Sequence, residues 1–203
     1  LMIGKNAGSQ VIMFTSFNPD AGKTFTIMNI AASMALKNAK VLMVDLDLRK
    51  ASLSKCSDSE HSGVAAYLNN KIDDYREHID QIAPGLHLLP VGTLPPNPTE
   101  LLLTDRFRKM IESFREEYDY IFLDCPPIDI VADSSIITEV SDMTVFVLRA
   151  DFIDKKVLPQ IENRYRSGKY THMALILNGV DMQYKKYGYG SKGRFGYGYG
   201  YGE

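Results

Sequence analysis

Apolar positions along this chain fall into short continuous runs separated by mixed stretches, and the runs set the expected elements. Val11 to Thr15 is an apolar run closed by Ser16, Asn18 and Pro19, which predicts a buried strand followed by a loop. From Thr24 to Lys37 apolar residues lie on nearly every side of a helix (Phe25, Ile27, Met28, Ile30, Ala31, Met34, Leu36), the pattern of a helix enclosed within a larger core. Val41-Leu42-Met43-Val44 is uninterrupted, as in a strand covered on both faces of a parallel sheet. Leu86 to Val91 forms another run, in which Pro90 speaks against a central position. Residues 99–117 read as one helix opening at Thr99, with Glu100 in its first turn. Tyr120 to Leu123, Thr144 to Leu148 and Met173 to Leu177 add three strands, with helical stretches near 133–140 and 154–166. Between Ala51 and Gln81 the chain is polar and poorly periodic, apart from a short helix candidate at Val64 to Leu68.

Alternating strands and helices predict an α/β fold, a mainly parallel β-sheet flanked by helices on both faces, with ligands at the carboxyl ends of the strands. From Met182 onward the chain turns to glycine, tyrosine, lysine and arginine with no face to bury. Residues 1–181 are therefore expected to form the domain and 182–203 a flexible tail. With 203 residues, 45% apolar and 24% charged, the chain suits one globular domain with an appendage. A net charge of −2 gives no reason to expect nucleic acid or an anionic membrane surface as partner. Cys56 and Cys125 are far apart and lack metal-ligand spacing, which points to a reducing cytoplasm rather than a disulfide scaffold. No apolar run approaches the ~20 residues that span a bilayer, and the first residues do not form a signal peptide. His61, His78, His87 and His172 share no metal-ligand spacing.

The string Ser16-Phe17-Asn18-Pro19-Asp20-Ala21-Gly22-Lys23-Thr24 follows a strand and opens a helix, the context of a phosphate-binding P-loop. The segment from Pro19 through Asp20, Ala21, Gly22, Lys23 and Thr24 to Phe25 is the candidate nucleotide site. Its backbone amides and helix N-terminus would surround phosphates, Lys23 would reach the β- and γ-phosphates, and the Thr24 hydroxyl would ligate magnesium. Phe17 stands where the standard pattern has its first glycine. A bare Gly-Lys-Thr also arises by chance at the start of a helix; the flanking elements argue against that here.

Asp45 and Asp47 close the second strand, and Asp124 closes the Ile121-Phe122-Leu123 run. In a parallel sheet all three carboxylates fall at the edge that carries the P-loop. Magnesium prefers oxygen ligands and keeps several waters, so Asp45 and Asp124 join Thr24 as candidate metal residues. A carboxylate there would also accept a proton from an attacking hydroxyl, and Lys23, Asp45, Asp47 and Asp124 are the candidate catalytic set. Aspartate also terminates strands and caps helices for purely structural reasons, as Asp133 does at its helix candidate. Arg149 reads equally as a group at the nucleotide edge or as half of a surface ion pair.

Together the three motifs resemble those of the bacterial tyrosine kinases (BY-kinases), relatives of the MinD and ParA ATPases. Ser16 to Thr24 is similar to that family's Walker A loop, Val41 to Arg49 to its Asp-x-Asp-x-Arg motif, and Ile121 to Pro127 to its Asp-x-Pro-Pro motif. Leu94 to Leu101 is similar to a further family segment. The resemblance spans residues 10–180 and implies ATP with Mg²⁺ as cofactors. It also implies that Asn178 holds the adenine-recognising position of related ATPases. Partition and septum-placement ATPases carry a signature lysine where this chain has Asn18, which favours the kinase branch. A Glu-x-x-Arg-x-x-Arg helix used for ring assembly precedes the first strand in family members and has no match here, as truncation would explain.

Six of twelve tyrosines lie in the last twenty residues: Tyr184, Tyr187, Tyr189, Tyr197, Tyr199 and Tyr201. By composition the segment suits a phosphoacceptor, a single-stranded nucleic-acid binder or an inert solubilising tail equally. The resemblance selects the first, autophosphorylation between subunits, because family members modify a terminal tyrosine cluster. It further implies a homo-oligomeric ring, a transmembrane polysaccharide co-polymerase or activator fused or separate, a tyrosine phosphatase, and a cytoplasmic place at the inner face of the plasma membrane. The process implied is control of capsule or exopolysaccharide polymerisation and export. A MinD/ParA-like ATPase and a nucleotide-dependent scaffold remain as alternatives.

Overall fold

The computed structural model describes residues 8–57, 62–128, 133–170 and 172–181. The six tail tyrosines and the expected boundary at 182 lie outside the described residues.

The elements run β1 (Gln10–Ser16), α1 (Lys23–Ala35), β2 (Val41–Asp45), α2 (Gly63–Leu68), β3 (Asp80–Ala83), β4 (Leu86–Leu89), α3 (Pro98–Leu102), α4 (Asp105–Glu117), β5 (Tyr120–Asp124), α5 (Asp133–Glu139), β6 (Met143–Arg149), α6 (Leu158–Arg166) and β7 (Ala174–Asn178). The strands form one sheet in the order β3-β4-β2-β5-β1-β6-β7. Every neighbouring pair is parallel except β3 with β4. The α/β expectation of a mainly parallel sheet with helices on both faces holds.

Alternation along the strands divides the core. On β1, Ile12 and Phe14 face the side covered by Ile27 and Ala31 of α1. Val11 and Met13 face the side covered by Val64 of α2, Leu101 of α3, Phe107, Met110 and Phe114 of α4 and Ile137 of α5. On β6, Phe146 and Leu148 pack with Ile161 of α6. β5 lies between β2 and β1, so Asp45 pairs in register with Asp124, and Asp124 with Phe14. From β1 the chain crosses over β5 to β2, whereas β6 lies on the other side of β1. The crevice at the carboxyl end of β1 is thus the point where strand order reverses and ligands bind.

Five sequence expectations change. α1 is not enclosed on every side: Phe25 is 66% and Leu36 86% exposed, because the stripe running from Phe25 through Asn29 and Ser33 to Leu36 faces solvent while Ile27 and Ala31 lie in the core. The helix read over 99–117 is two helices, broken where the Thr104 side chain accepts from the Phe107 N–H as an N-cap. Pro90 does not push β4 to an edge, since the strand ends at Leu89 and the Pro90 carbonyl accepts from the Val64 N–H at 2.8 Å. β3 has no counterpart among the expected strands; it is a mostly exposed antiparallel edge strand and has no apolar run to betray it. The stretch near 154–166 opens with a 3-10 turn, Lys155–Val157, before α6.

Candidate active site

The loop between β1 and α1 begins where the chain leaves the sheet. Ser16 Oγ donates to the Asn18 carbonyl at 2.7 Å, and Thr15 Oγ1 donates to the Pro126 carbonyl at 2.8 Å, tying the loop to the end of β5. Asp20 and Gly22 both take positive φ, 58° and 88°. Gly22 needs its missing side chain twice over, since a Cβ there would also collide with Asn178 Nδ2. Two side chains from the far strands hold loop carbonyls. Arg149 Nη1 donates to the Asp20 carbonyl at 3.2 Å, and Asn178 Nδ2 donates to the Ala21 carbonyl at 3.1 Å.

A cleft of about 250 Å³ opens beside the loop, lined by Pro19, Asp20, Gly22, Lys23, Thr24, Asp47, Lys50, Ser52, Asp124 and Pro127. It gathers most of the residues predicted for the nucleotide site. Ala21 is buried behind the lining, and the Phe25 ring is turned to solvent. Asn178 is held against the loop rather than in this cleft. Lys23 Nζ rests on Ser16 Oγ at 3.4 Å, a weak contact that a phosphate would readily replace.

The three aspartates are all nearly or fully buried yet differ in what they face. Asp124 Oδ2 accepts from Thr24 Oγ1 at 2.7 Å, while its Oδ1 is buried with no hydrogen-bond partner. Burial, and then the Asp47 charge, push its carboxyl up to about 6, against the opposing pull of the Thr24 hydrogen bond and Lys23. Asp47 lines the cleft, and its Oδ1 accepts from the Lys50 N–H at 3.1 Å. Asp45 stands behind, with no exposed surface. Its Oδ2 accepts from both the N–H and the hydroxyl of Ser54, each at 2.8 Å, and its Oδ1 from the Asp47 N–H at 3.1 Å. Burial first, then Asp124, push the Asp45 carboxyl up to about 7.

This arrangement fits a divalent cation. The unpartnered Oδ1 of Asp124 beside the Thr24 hydroxyl, with Asp124 and Asp45 both raised chiefly by burial, is stabilised by added positive charge. Among the described residues no three His, Cys, Asp or Glu side chains are grouped to hold a metal alone. Such a site suits magnesium, which takes further ligands from phosphate and water.

A family profile described as an AAA domain matches residues 9–166. Tyrosine-protein kinase CpsD of Streptococcus pneumoniae is 34% identical over 190 residues, covering 92% of this chain and 84% of CpsD. The chain belongs to the bacterial tyrosine-protein kinase family. Another member, the putative tyrosine-protein kinase EpsB of Ralstonia solanacearum, is 30% identical, and there the match covers 94% of this chain but 26% of EpsB. The kinase domain of Escherichia coli tyrosine kinase ETK superposes with a TM-score of 0.79 at 29% identity, over 91% of this chain and 73% of that domain.

Within this family assignment two side chains stand out that sequence reasoning left open or missed. Arg149, open between nucleotide edge and ion pair, pins the carbonyl of Asp20, a residue of the cleft lining, and lies over the Phe152 ring. Ser54 lies in no motif: besides holding Asp45, its Oγ accepts from the Val91 N–H at 2.8 Å, joining the ends of β2 and β4. No local signal marks Ser54, which sits in the aperiodic stretch and gains its role only through tertiary contacts. Asp133 opens α5, and its side chain lies outside the described set. Among the described residues no helix is long and apolar enough to cross a membrane.

Proposed function

We propose that this chain transfers the γ-phosphoryl group of ATP, with Mg²⁺, to tyrosine hydroxyls of its own C-terminal segment. The observation that carries this reading is the joining of Lys23, Thr24, Asp47 and Asp124 in one cleft, with Asp124 Oδ1 left unpaired. Lys23 leaves Ser16 for the transferring phosphate, and amides of the Pro19–Phe25 segment hold the other phosphate oxygens. Thr24 and Asp124 would hold Mg²⁺, with Asp45 behind them, and the bound ion would neutralise charge on the phosphate oxygens. The acceptor phenol gives its proton to a carboxylate at the end of β2. Asp47 faces the cleft and does this without rearrangement, whereas Asp45 must first release Ser54. Asn178, on the loop's outer side, is the side chain for the adenine edge.

The acceptors are Tyr184, Tyr187, Tyr189, Tyr197, Tyr199 and Tyr201, offered from the 182–203 tail to a neighbouring subunit. Each phosphate adds about −1.5 to −2 charge, which turns a basic segment acidic and weakens its docking on an acidic cleft. The reaction thereby cycles a subunit ring between assembled and dispersed states, and a tyrosine phosphatase resets it. The chain works at the inner face of the plasma membrane with a transmembrane polysaccharide co-polymerase, fused or separate, in control of capsule or exopolysaccharide export. The greater length of EpsB supports the fused form in that relative.

The test is incubation with MgATP, reading phosphotyrosine and free phosphate together, for the wild type and for a variant with the six tail tyrosines changed to phenylalanine. Phosphotyrosine in the wild type and none in the variant is the expected result. Free phosphate without phosphotyrosine would make the chain an ATPase; neither product would make it a scaffold.

A further inference from the structure

A second lysine shares the cleft. Lys50 stands in the turn after β2 and lines the same cavity as Lys23, Thr24, Asp47 and Asp124. Its backbone is fixed by the cleft-facing acid, since Asp47 Oδ1 accepts from the Lys50 N–H at 3.1 Å and the Asp47 carbonyl accepts from the Ala51 N–H at 2.9 Å. The residue is exposed, and among the described residues no carboxylate pairs with its ammonium. Neighbouring basic residues are placed otherwise: Arg49 does not line the cavity, and Arg149 is spent on the Asp20 carbonyl.

The two lysines reach the cavity from different strands. Lys23 opens α1, which follows β1, and Lys50 follows β2; β5, which carries Asp124, runs between those strands. A phosphoryl group in flight spreads its charge over three equatorial oxygens, with donor and acceptor oxygens in line. Lys23 is bound to the loop that holds the donor phosphates. A second cation lining the same cavity, on a segment separate from that loop, is available to the oxygens of the group as it moves toward the acceptor, and a lysine carries its charge on a flexible stem able to follow them.

We propose that Lys50 is a second cationic catalytic residue, its ammonium contacting the transferring phosphoryl group in the transition state. This rests on the phosphoryl-transfer reading above. The bond from the γ-phosphorus to the bridging oxygen breaks and its electron pair leaves with ADP. The bond to the phenol oxygen forms, and the phenol proton passes to the carboxylate at the end of β2. Lys50 supplies charge and exchanges no proton.

The experiment compares wild type, Lys50→Met and Lys50→Arg in the full chain. It reads kcat and KM for ATP from tail phosphorylation, affinity for a fluorescent ADP analogue, and the melting temperature. For Lys50→Met, kcat is expected to fall on the order of tenfold to a hundredfold, below or at the loss typical of removing one preorganised donor. ADP affinity and KM for ATP stay within about twofold and the melting temperature is unchanged, as for an exposed side chain that binds the transition state selectively. Lys50→Arg, which keeps the charge, recovers most of the rate. An unchanged kcat in Lys50→Met overturns the proposal, as does a parallel loss of ADP affinity or a failure of arginine to rescue. An active wild type with an equally active Lys50→Met sinks Lys50 alone; a wild type that forms no phosphotyrosine sinks the kinase reading with it.

Discussion

The two sides of β1 hold the same loop by different means. On the β2–β5 side, Asp45, Asp47 and Asp124 stand at strand ends with 0%, 6% and 1% of their surface exposed. On the β6–β7 side, Arg149 and Asn178 reach the loop through exposed or half-buried hydrogen bonds to carbonyls. Electrostatic interactions are strong where water is excluded and weak where it is not. Charge that acts on a reacting group therefore sits on the buried side. The open side sets the loop's shape by holding the Asp20 and Ala21 carbonyls. The difference separates residues whose loss removes chemistry from residues whose loss loosens it.

Asp124→Asn should break the buried side most severely. Asparagine keeps an oxygen for the Thr24 hydroxyl but loses the charge, so kcat should fall by about 10²–10³, the range for a preorganised electrostatic group. The same substitution relieves repulsion with Asp45 and Asp47, so the nucleotide-free variant should melt no lower than the parent, a split that differential scanning calorimetry with parallel kinetics checks. Ser54→Ala comes next. It removes the acceptor of the Val91 N–H and one donor to Asp45, and leaving a buried group unpaired costs about 1–3 kcal/mol, readable by urea unfolding. On the open side, Arg149→Ala should weaken ADP binding only about threefold, the order of one exposed hydrogen bond, with stability almost unchanged. A loss as large as that of Asp124→Asn would erase the contrast between the two sides.

Legibility in the sequence follows the same division. Buried parallel strands announce themselves as apolar runs, and β1, β2, β5 and β6 were readable because both of their faces are covered. The carboxylates followed, since an aspartate at the end of such a run can only project at the carboxyl edge. β3 escaped because an edge strand with exposed side chains carries no run, and its hairpin with β4 comes from backbone pairing alone. The break at Thr104 was hidden because apolar spacing continues through it from Leu102 to Phe107, and only the cap reveals two helices. α1 misled in the other direction: its apolar outer face, Phe25 and Leu36, suggested enclosure that the fold does not provide. Within the site, Lys23, Thr24 and the three acids stood in motifs, whereas Ser54, Lys50 and the loop contact of Arg149 depend on chain segments distant in sequence meeting at one edge.

The central claim is tested most directly by following label from γ-phosphate-labelled ATP into tail tyrosines, in the wild type and in Lys23→Met. Label on Tyr184 to Tyr201 in the wild type, and its disappearance in a Lys23→Met protein that melts like the parent, is the result expected of a tyrosine kinase built on this cleft. Equal labelling in the folded Lys23→Met protein, or no tyrosine label in the wild type, would contradict it.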